Sequence, residues 1–133
     1  PLEVPVNISV ESQNTLSSGG ELLLWSINSS SGEIDMINLT RLSGDALLET
    51  RKSAQDVGKE AAQELLFELQ SGAAADSHLA DQLIQFMSLL PASIIRTSKI
   101  TNHTKTNIHV AEQFMNVTFP IEDTVIKVEK KEN

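Results

Sequence analysis

The segment "TNHTKTNIHVAEQF", residues 101 to 114, sets His103 among threonines and asparagines, directly before an apolar periodic stretch. A neutral imidazole is a nucleophile toward activated phosphorus or carbonyl carbon. A helix start offers free backbone N–H groups and a positive dipole end, which suits a phosphate and disfavours an imidazolium. His103 could therefore attack a bound nucleotide. The plainer alternative is that it caps or hydrogen-bonds locally, with Thr104 and Thr106 in turn roles. Spacing alone favours that alternative. A second group lies in "DSHLADQL", residues 76 to 83, where His78, Asp81 and Gln82 open a helix. His78 and Asp81 are three apart and share a helix face. They could clamp a ligand or a metal, although such pairs are more often solvated. A zinc set of His78, Asp81 and His103 lacks the tight ligand spacing that marks such sites. "ETRKSAQDVG" is a charged approach to a helix and reads most simply as a polar loop. No phosphate loop, dinucleotide glycine fingerprint or nucleophile elbow is present.

The 133-residue chain is long enough for one modest core. Its composition, 40% apolar and 21% charged, is that of a globular protein. A net charge of -8 means that the chain cannot hold nucleic acid by phosphate attraction alone, so most of a cationic groove must come from elsewhere. Without cysteine, disulfides, thiol nucleophiles and thiolate metal sites are excluded, and a reducing, cytoplasmic location is expected. No apolar run reaches the roughly 18–20 residues that span a bilayer, so no membrane partner is expected. The opening on Pro1, directly before a strand-like pattern, suggests a piece of something larger.

In "EVPVNISVES", Val4, Val6, Ile8 and Val10 alternate as in a half-buried strand. "ELLLWSIN" reads as a strand buried on both faces, with Trp25 in the core. "NSSSGE" reads as a turn and "IDMINLTRL" as a third strand. The period then changes. Ala54, Val57, Gly58, Ala61, Ala62, Leu65, Leu66 and Leu69 form a helical stripe, with Ser53 as N-cap and Ser71-Gly72 as stop. A second helix runs from about Asp76 to Pro91, with Leu79, Leu83, Phe86 or Met87, and Leu90 on one face. "SIIRTS" is a strand, a third helix starts near Thr104, and "NVTFPI" and "DTVIKVEK" form a closing pair before a solvated tail. His109 reads as a solvent or edge residue. The result is an α/β (α+β) chain with helices layered on a sheet.

"SAQDVGKEAAQELLFELQSGAAADSHLADQLIQFMSLL" followed by "TNHTKTNIHVAEQF" resembles the C-terminal part of RNA 3'-terminal phosphate cyclases. The matched pieces are V-G-x-E-A-A, S-G-A-A-x-D-x-x-L-A-D-Q-L and H-T-x-T-N-I-x-V-x-E-Q-F, in the family's order. The likeness covers roughly residues 44 to 120 and is weaker before them. It implies ATP-dependent chemistry in which a histidine attacks the α-phosphorus of ATP. AMP then passes to an RNA 3'-phosphate, and the neighbouring 2'-hydroxyl closes a 2',3'-cyclic phosphate. The nucleophile falls on His103, and Asp81 and Gln82 fall at the nucleotide site. His78 takes a position that is often aromatic and near the adenine in the family. Mg2+ or Mn2+ is expected to offset the triphosphate charge.

The family fold repeats βαβαββ units like the C-terminal domain of translation initiation factor three, with a small inserted α/β domain. Residues 1–20 would be the end of that inserted domain, 21–129 the C-terminal part of the catalytic domain, and 130–133 a tail. The partners implied are RNA 3'-phosphate ends, ATP and an N-terminal portion that carries the remaining contacts, so this segment alone is expected to be inactive. The family's L-G-E-R-G-K loop is replaced by Leu47-Leu48-Glu49-Thr50-Arg51-Lys52. The family's ribosome-assembly branch, which keeps the fold and loses the histidine motif, is the alternative. "HTKTNI" and "ADQL" argue against it. A generic α/β interaction module is the remaining and weakest reading.

Overall fold

The computed structural model describes residues 5–28 and 40–131. Its elements are β1 (Glu21–Asn28), β2 (Thr40–Leu47), α1 (Ala54–Ser71), α2 (Ser77–Leu89), β3 (Ile94–Arg96), α3 (Asn102–Phe114), β4 (Val117–Thr118), β5 (Ile121–Glu122), β6 (Val125–Lys127) and β7 (Glu129–Lys130). The class is α+β: three helices among the described residues, packed on small antiparallel sheets.

The first layer pairs β1 with β2, from Glu21 opposite Leu47 to Asn28 opposite Thr40. Leu22 and Leu24 turn toward α1 and pack on Ala46, Val57 and Ala61. A helix covers one face of this ribbon and leaves the other to solvent. The expectation that β1 is buried on both faces is therefore corrected. Leu23, Trp25 and Ile27 are exposed, and Trp25 is not a core residue. The Arg41 guanidinium carbon lies 5.8 Å from the Trp25 ring centroid, within cation–π range. The third expected strand is described over Thr40–Leu47 and runs beyond its expected end at Leu42. Residues 34–39 of that expectation, and most of the "NSSSGE" turn, lie outside the described residues.

The first expected strand is also corrected. Residues 5–20 have no strand, and Val6, Ile8 and Val10 are exposed. Among the described residues nothing pairs with them. An alternating pattern without a ladder partner or a cover has nothing to hold it extended.

Gly44 decides how closely the helix seats on β2. A Cβ there would lie 2.3 Å from the Leu65 backbone nitrogen and 2.5 Å from the Ala61 carbonyl oxygen. Only glycine permits this approach. Helix α1 begins and ends as its sequence predicts. The Ser53 hydroxyl accepts the Asp56 N–H at 3.1 Å, and Gly72 closes the helix in the left-handed conformation at φ 66°.

The loop between β2 and α1 carries a strained position, since Arg51 sits at φ 75°. By the resemblance, this register belongs to the second glycine of L-G-E-R-G-K. Arg51→Gly is expected to be neutral or to raise stability by up to about 1 kcal/mol, because relief of the left-handed penalty outweighs the added chain entropy. Arg51→Val is expected to lower it by about 1–2 kcal/mol. The midpoints of urea unfolding curves check both. Next to it, Lys52 pairs with Glu60. That hydrogen bond, chiefly, holds the ammonium pKa above the ordinary lysine range.

The second layer holds the larger core. Ile84 and Met87 of α2, Ile108 of α3, Val117, Phe119, Ile126 and Val128 pack together, with Leu83, Ile95, Ala111 and Met115 around them. Strand β6 lies between β3 and β5. The buried face of α2 is Ala80, Ile84 and Met87, with Leu83 packed beside it, so the expected stripe holds at Leu83 and Met87 and fails at its other positions. Leu79, Phe86 and Leu90 are exposed. All these positions are apolar, so their spacing allowed either face, and contact with α3 selected one. Lys130 and Lys131, expected in the solvated tail, make contacts with the second layer. Lys130 pairs opposite Val117, and the Lys131 ammonium donates to the Glu112 carbonyl at 2.6 Å.

Candidate functional site

Helix α3 starts two residues earlier than its apolar periodicity suggests, at Asn102. Thr101 is the N-cap, with extended backbone at φ -82° and ψ 169°. Its hydroxyl accepts the Thr104 N–H at 2.9 Å, and the Thr104 hydroxyl accepts the Thr101 N–H at 3.2 Å. This reciprocal capping box fixes the first turn. Both hydroxyls in turn donate to one oxygen of Asp81 on α2, Thr101 at 2.8 Å and Thr104 more closely. The Asn107 side-chain amide donates to the Asp81 main-chain carbonyl at 2.9 Å. Thr104 is fully buried, so its hydroxyl has no water to fall back on.

His103 is the second residue of α3, not a residue ahead of it. It is exposed. Capping belongs to Thr101 and Thr104, and among the described residues the His103 imidazole makes no hydrogen bond. The local role that spacing alone favoured is thus taken by its neighbours. The motif divides cleanly: the threonines and Asn107 build the helix start, and His103 stands out from it. Thr106 also works within the helix, donating to the Asn102 carbonyl at 2.9 Å. His109 is exposed, as expected.

Asp81 serves this start from beneath. Its Oδ1 takes both hydroxyls, so any ligand contact by this residue falls to Oδ2. Gln82, the next residue, is exposed. His78 goes elsewhere. Its Nε2 lies 3.9 Å from Asp45 Oδ1 and 3.8 Å from Glu64 Oε1. The set His78, Asp81 and His103 is therefore not assembled as a metal site. Among the described residues, the potential ligands that converge are Asp45, Glu64 and His78. Sequence reading missed Asp45 and Glu64, which lie 33 and 14 positions before His78 in other elements. Only the folded β2–α1–α2 contact unites them.

A sequence profile of the RNA 3'-terminal phosphate cyclases matches residues 3–121. The chain belongs to the RNA 3'-terminal phosphate cyclase family. It is 43% identical over 126 residues to an RNA 3'-terminal phosphate cyclase of Pyrococcus abyssi, covering 95% of this chain and 34% of that protein. Likeness to the protein of that name in Thermococcus onnurineus is 41% over 123 residues, covering 92% and 33%. For Methanosarcina barkeri it is 40% over 118 residues, covering 89% and 32%. The chain thus spans about a third of the length of these cyclases. No helix among the described residues is long and apolar enough to cross a membrane.

Within this chain, Asp81 ties α2 to the start of α3. Asp81→Ala would leave the buried Thr104 hydroxyl without its carboxylate acceptor. A loss of about 2 kcal/mol in unfolding free energy is expected. Asp81→Asn keeps an acceptor oxygen and is expected to cost less than half of that. Urea titration of the three proteins side by side checks the order.

Proposed function

We propose that this chain supplies the nucleophile of an ATP-dependent RNA 3'-phosphate cyclase, with His103 as the residue that becomes adenylated. The observation that carries the reading is the division of labour at α3: the cap is complete without His103, and the imidazole stands exposed in the first turn. A phosphate approaching this turn meets free backbone N–H groups and the positive helix end. An imidazole nitrogen forms a bond to the α-phosphorus of ATP, the bridging P–O bond breaks, and pyrophosphate leaves. An RNA 3'-phosphate oxygen then attacks the same phosphorus and breaks the P–N bond. The adjacent 2'-hydroxyl attacks the 3'-phosphorus, loses its proton and expels AMP. The product is a 2',3'-cyclic phosphate.

In this reading Gln82 and the free oxygen of Asp81 border the nucleotide, and His78 stands at its edge, one helical turn before Gln82. Among the described residues no three potential ligands converge beside His103. Mg2+ or Mn2+ would enter with the triphosphate, where it would offset charge. Residues 21–129 would be the C-terminal part of a catalytic domain built from βαβαββ units, and residues 1–20 the exit from an inserted domain. With a charge of -8, this segment offers RNA little attraction, so the RNA surface would lie on the remaining residues of the complete protein. The segment alone is then inactive. A cytoplasmic location, where RNA ends and ATP meet, fits this work.

The complete protein is to be incubated with Mg2+ and ATP labelled on the α-phosphate. Acid-labile, alkali-stable label on the protein is the expected result, as is conversion of a 3'-phosphorylated RNA to a phosphatase-resistant end. Folded protein without label would overturn the reading and favour a non-catalytic member of the family.

A further inference from the structure

We propose that Asp45, Glu64 and His78 form a binding site for a divalent transition cation of the zinc class, distinct from His103 and bordering the proposed nucleotide site through His78. One imidazole and two carboxylates come from three different elements: β2, α1 and the first turn of α2. Their ligand atoms all lie within 4.8 Å of one another. At 3.8 and 3.9 Å, the histidine contacts are too long for hydrogen bonds. They are close to the roughly 3.3 Å between ligand atoms that bonds of 2.0–2.2 Å to a tetrahedral ion require. The His78 side chain is 63% exposed and free to close the difference, and water has access to the remaining position.

The surroundings are short of positive charge. Glu68 lies one helical turn after Glu64 and is 2% exposed. Its Oε1 faces the Ser77 N–H at 3.5 Å and hydroxyl at 3.3 Å, while its Oε2 is buried without a partner. Asp76 is also buried, and its Oδ2 accepts from the Ser43 hydroxyl at 2.9 Å. Among the described residues, no lysine or arginine pairs with Asp45, Glu64, Glu68 or Asp76. Four carboxylates thus lie beside Ser43, Ser77 and His78, and among the described residues His78 is the one basic side chain that pairs with any of them. A bound dication offsets charge that the protein leaves uncompensated. The supporting shell is already built. Glu64 Oε2 accepts the Asp45 main-chain N–H at 2.9 Å, which orients the Glu64 carboxylate, and Glu68 and Asp76 brace Ser77 and Leu79 on either side of His78. A mixed N/O set selects Zn2+, Co2+ or Mn2+ over Mg2+.

The test needs no nucleotide. The complete protein, stripped with chelator, is titrated calorimetrically with Zn2+, Mn2+ and Mg2+. One equivalent of Zn2+ is expected to bind more tightly than Mn2+, with Mg2+ weakest, and to raise the unfolding temperature. His78→Ala, Asp45→Asn and Glu64→Gln are each expected to weaken Zn2+ by at least about tenfold. His78 is exposed, so its variant folds. His103→Ala is expected to leave Zn2+ affinity unchanged. Absence of binding, Mg2+ binding as tight as Zn2+, or Zn2+ affinity that survives all three ligand variants would overturn the site. Loss of Zn2+ with His103→Ala would move the ion to the nucleotide site and overturn it equally. A failure of histidine adenylation leaves these outcomes untouched.

Discussion

His103→Ala is expected to abolish protein-bound AMP and to lower RNA cyclisation by at least about 10^4-fold, because removing a covalent nucleophile removes the pathway and not one contact in it. The same variant is expected to shift unfolding free energy by no more than about 0.5 kcal/mol. The pairing of these two outcomes is the point. His103 is exposed and holds no cap, and Thr101, Thr104 and Asp81 keep the helix start without it. A structural histidine would behave in the opposite way, costing stability and lowering activity only in proportion. Labelling with α-phosphate-marked ATP and urea unfolding, run on the same preparations, separate the two cases. Equal label on the variant and the parent protein would put the nucleophile elsewhere.

Gly44→Ala carries the largest expected effect on folding. The added carbon would fall 2.3 Å from a backbone nitrogen of α1, where no side-chain rotation can make room. Helix and strand must part along the seam that Ala46, Val57 and Ala61 fill. A loss of about 3 kcal/mol is expected, from overpacking plus the contacts surrendered as the layer opens. Because Asp45 and Glu64 flank this seam, Zn2+ affinity is expected to fall as well. Gly19→Ala is the control, since its Cβ would meet nothing within 4 Å. Urea unfolding that gives both variants the same midpoint would mean that α1 does not seat closely on β2.

The helix ends show how far local chemistry reaches. Ser53 and Gly72 are readable as caps because capping is settled within three or four residues of chain. Thr101 was less legible. The apolar period of α3 begins at Ile108, and the first turn is polar, so periodicity placed the start at Thr104. Only the reciprocal hydrogen bonds and the Asp81 carboxylate, 20 residues away in sequence, reveal where the helix begins. The residue types of "NHTKTN" announced a site, but not which member caps and which is left free.

From residue types and order alone came the three helices, the closing strands, the candidate nucleophile and the family likeness, all properties of short segments. Tertiary structure decided the rest. It left Val6, Ile8 and Val10 of the alternating stretch exposed and outside any strand, exposed one face of β1 with Trp25, and turned α2 onto Ala80, Ile84 and Met87. It also drew His78 away toward Asp45 and Glu64 while Asp81 went to the start of α3. The reason is common to all of these. A pattern states that a face is apolar or that a side chain can bond, but burial and pairing depend on which distant segment arrives to cover it, and that follows from the packing of the whole chain.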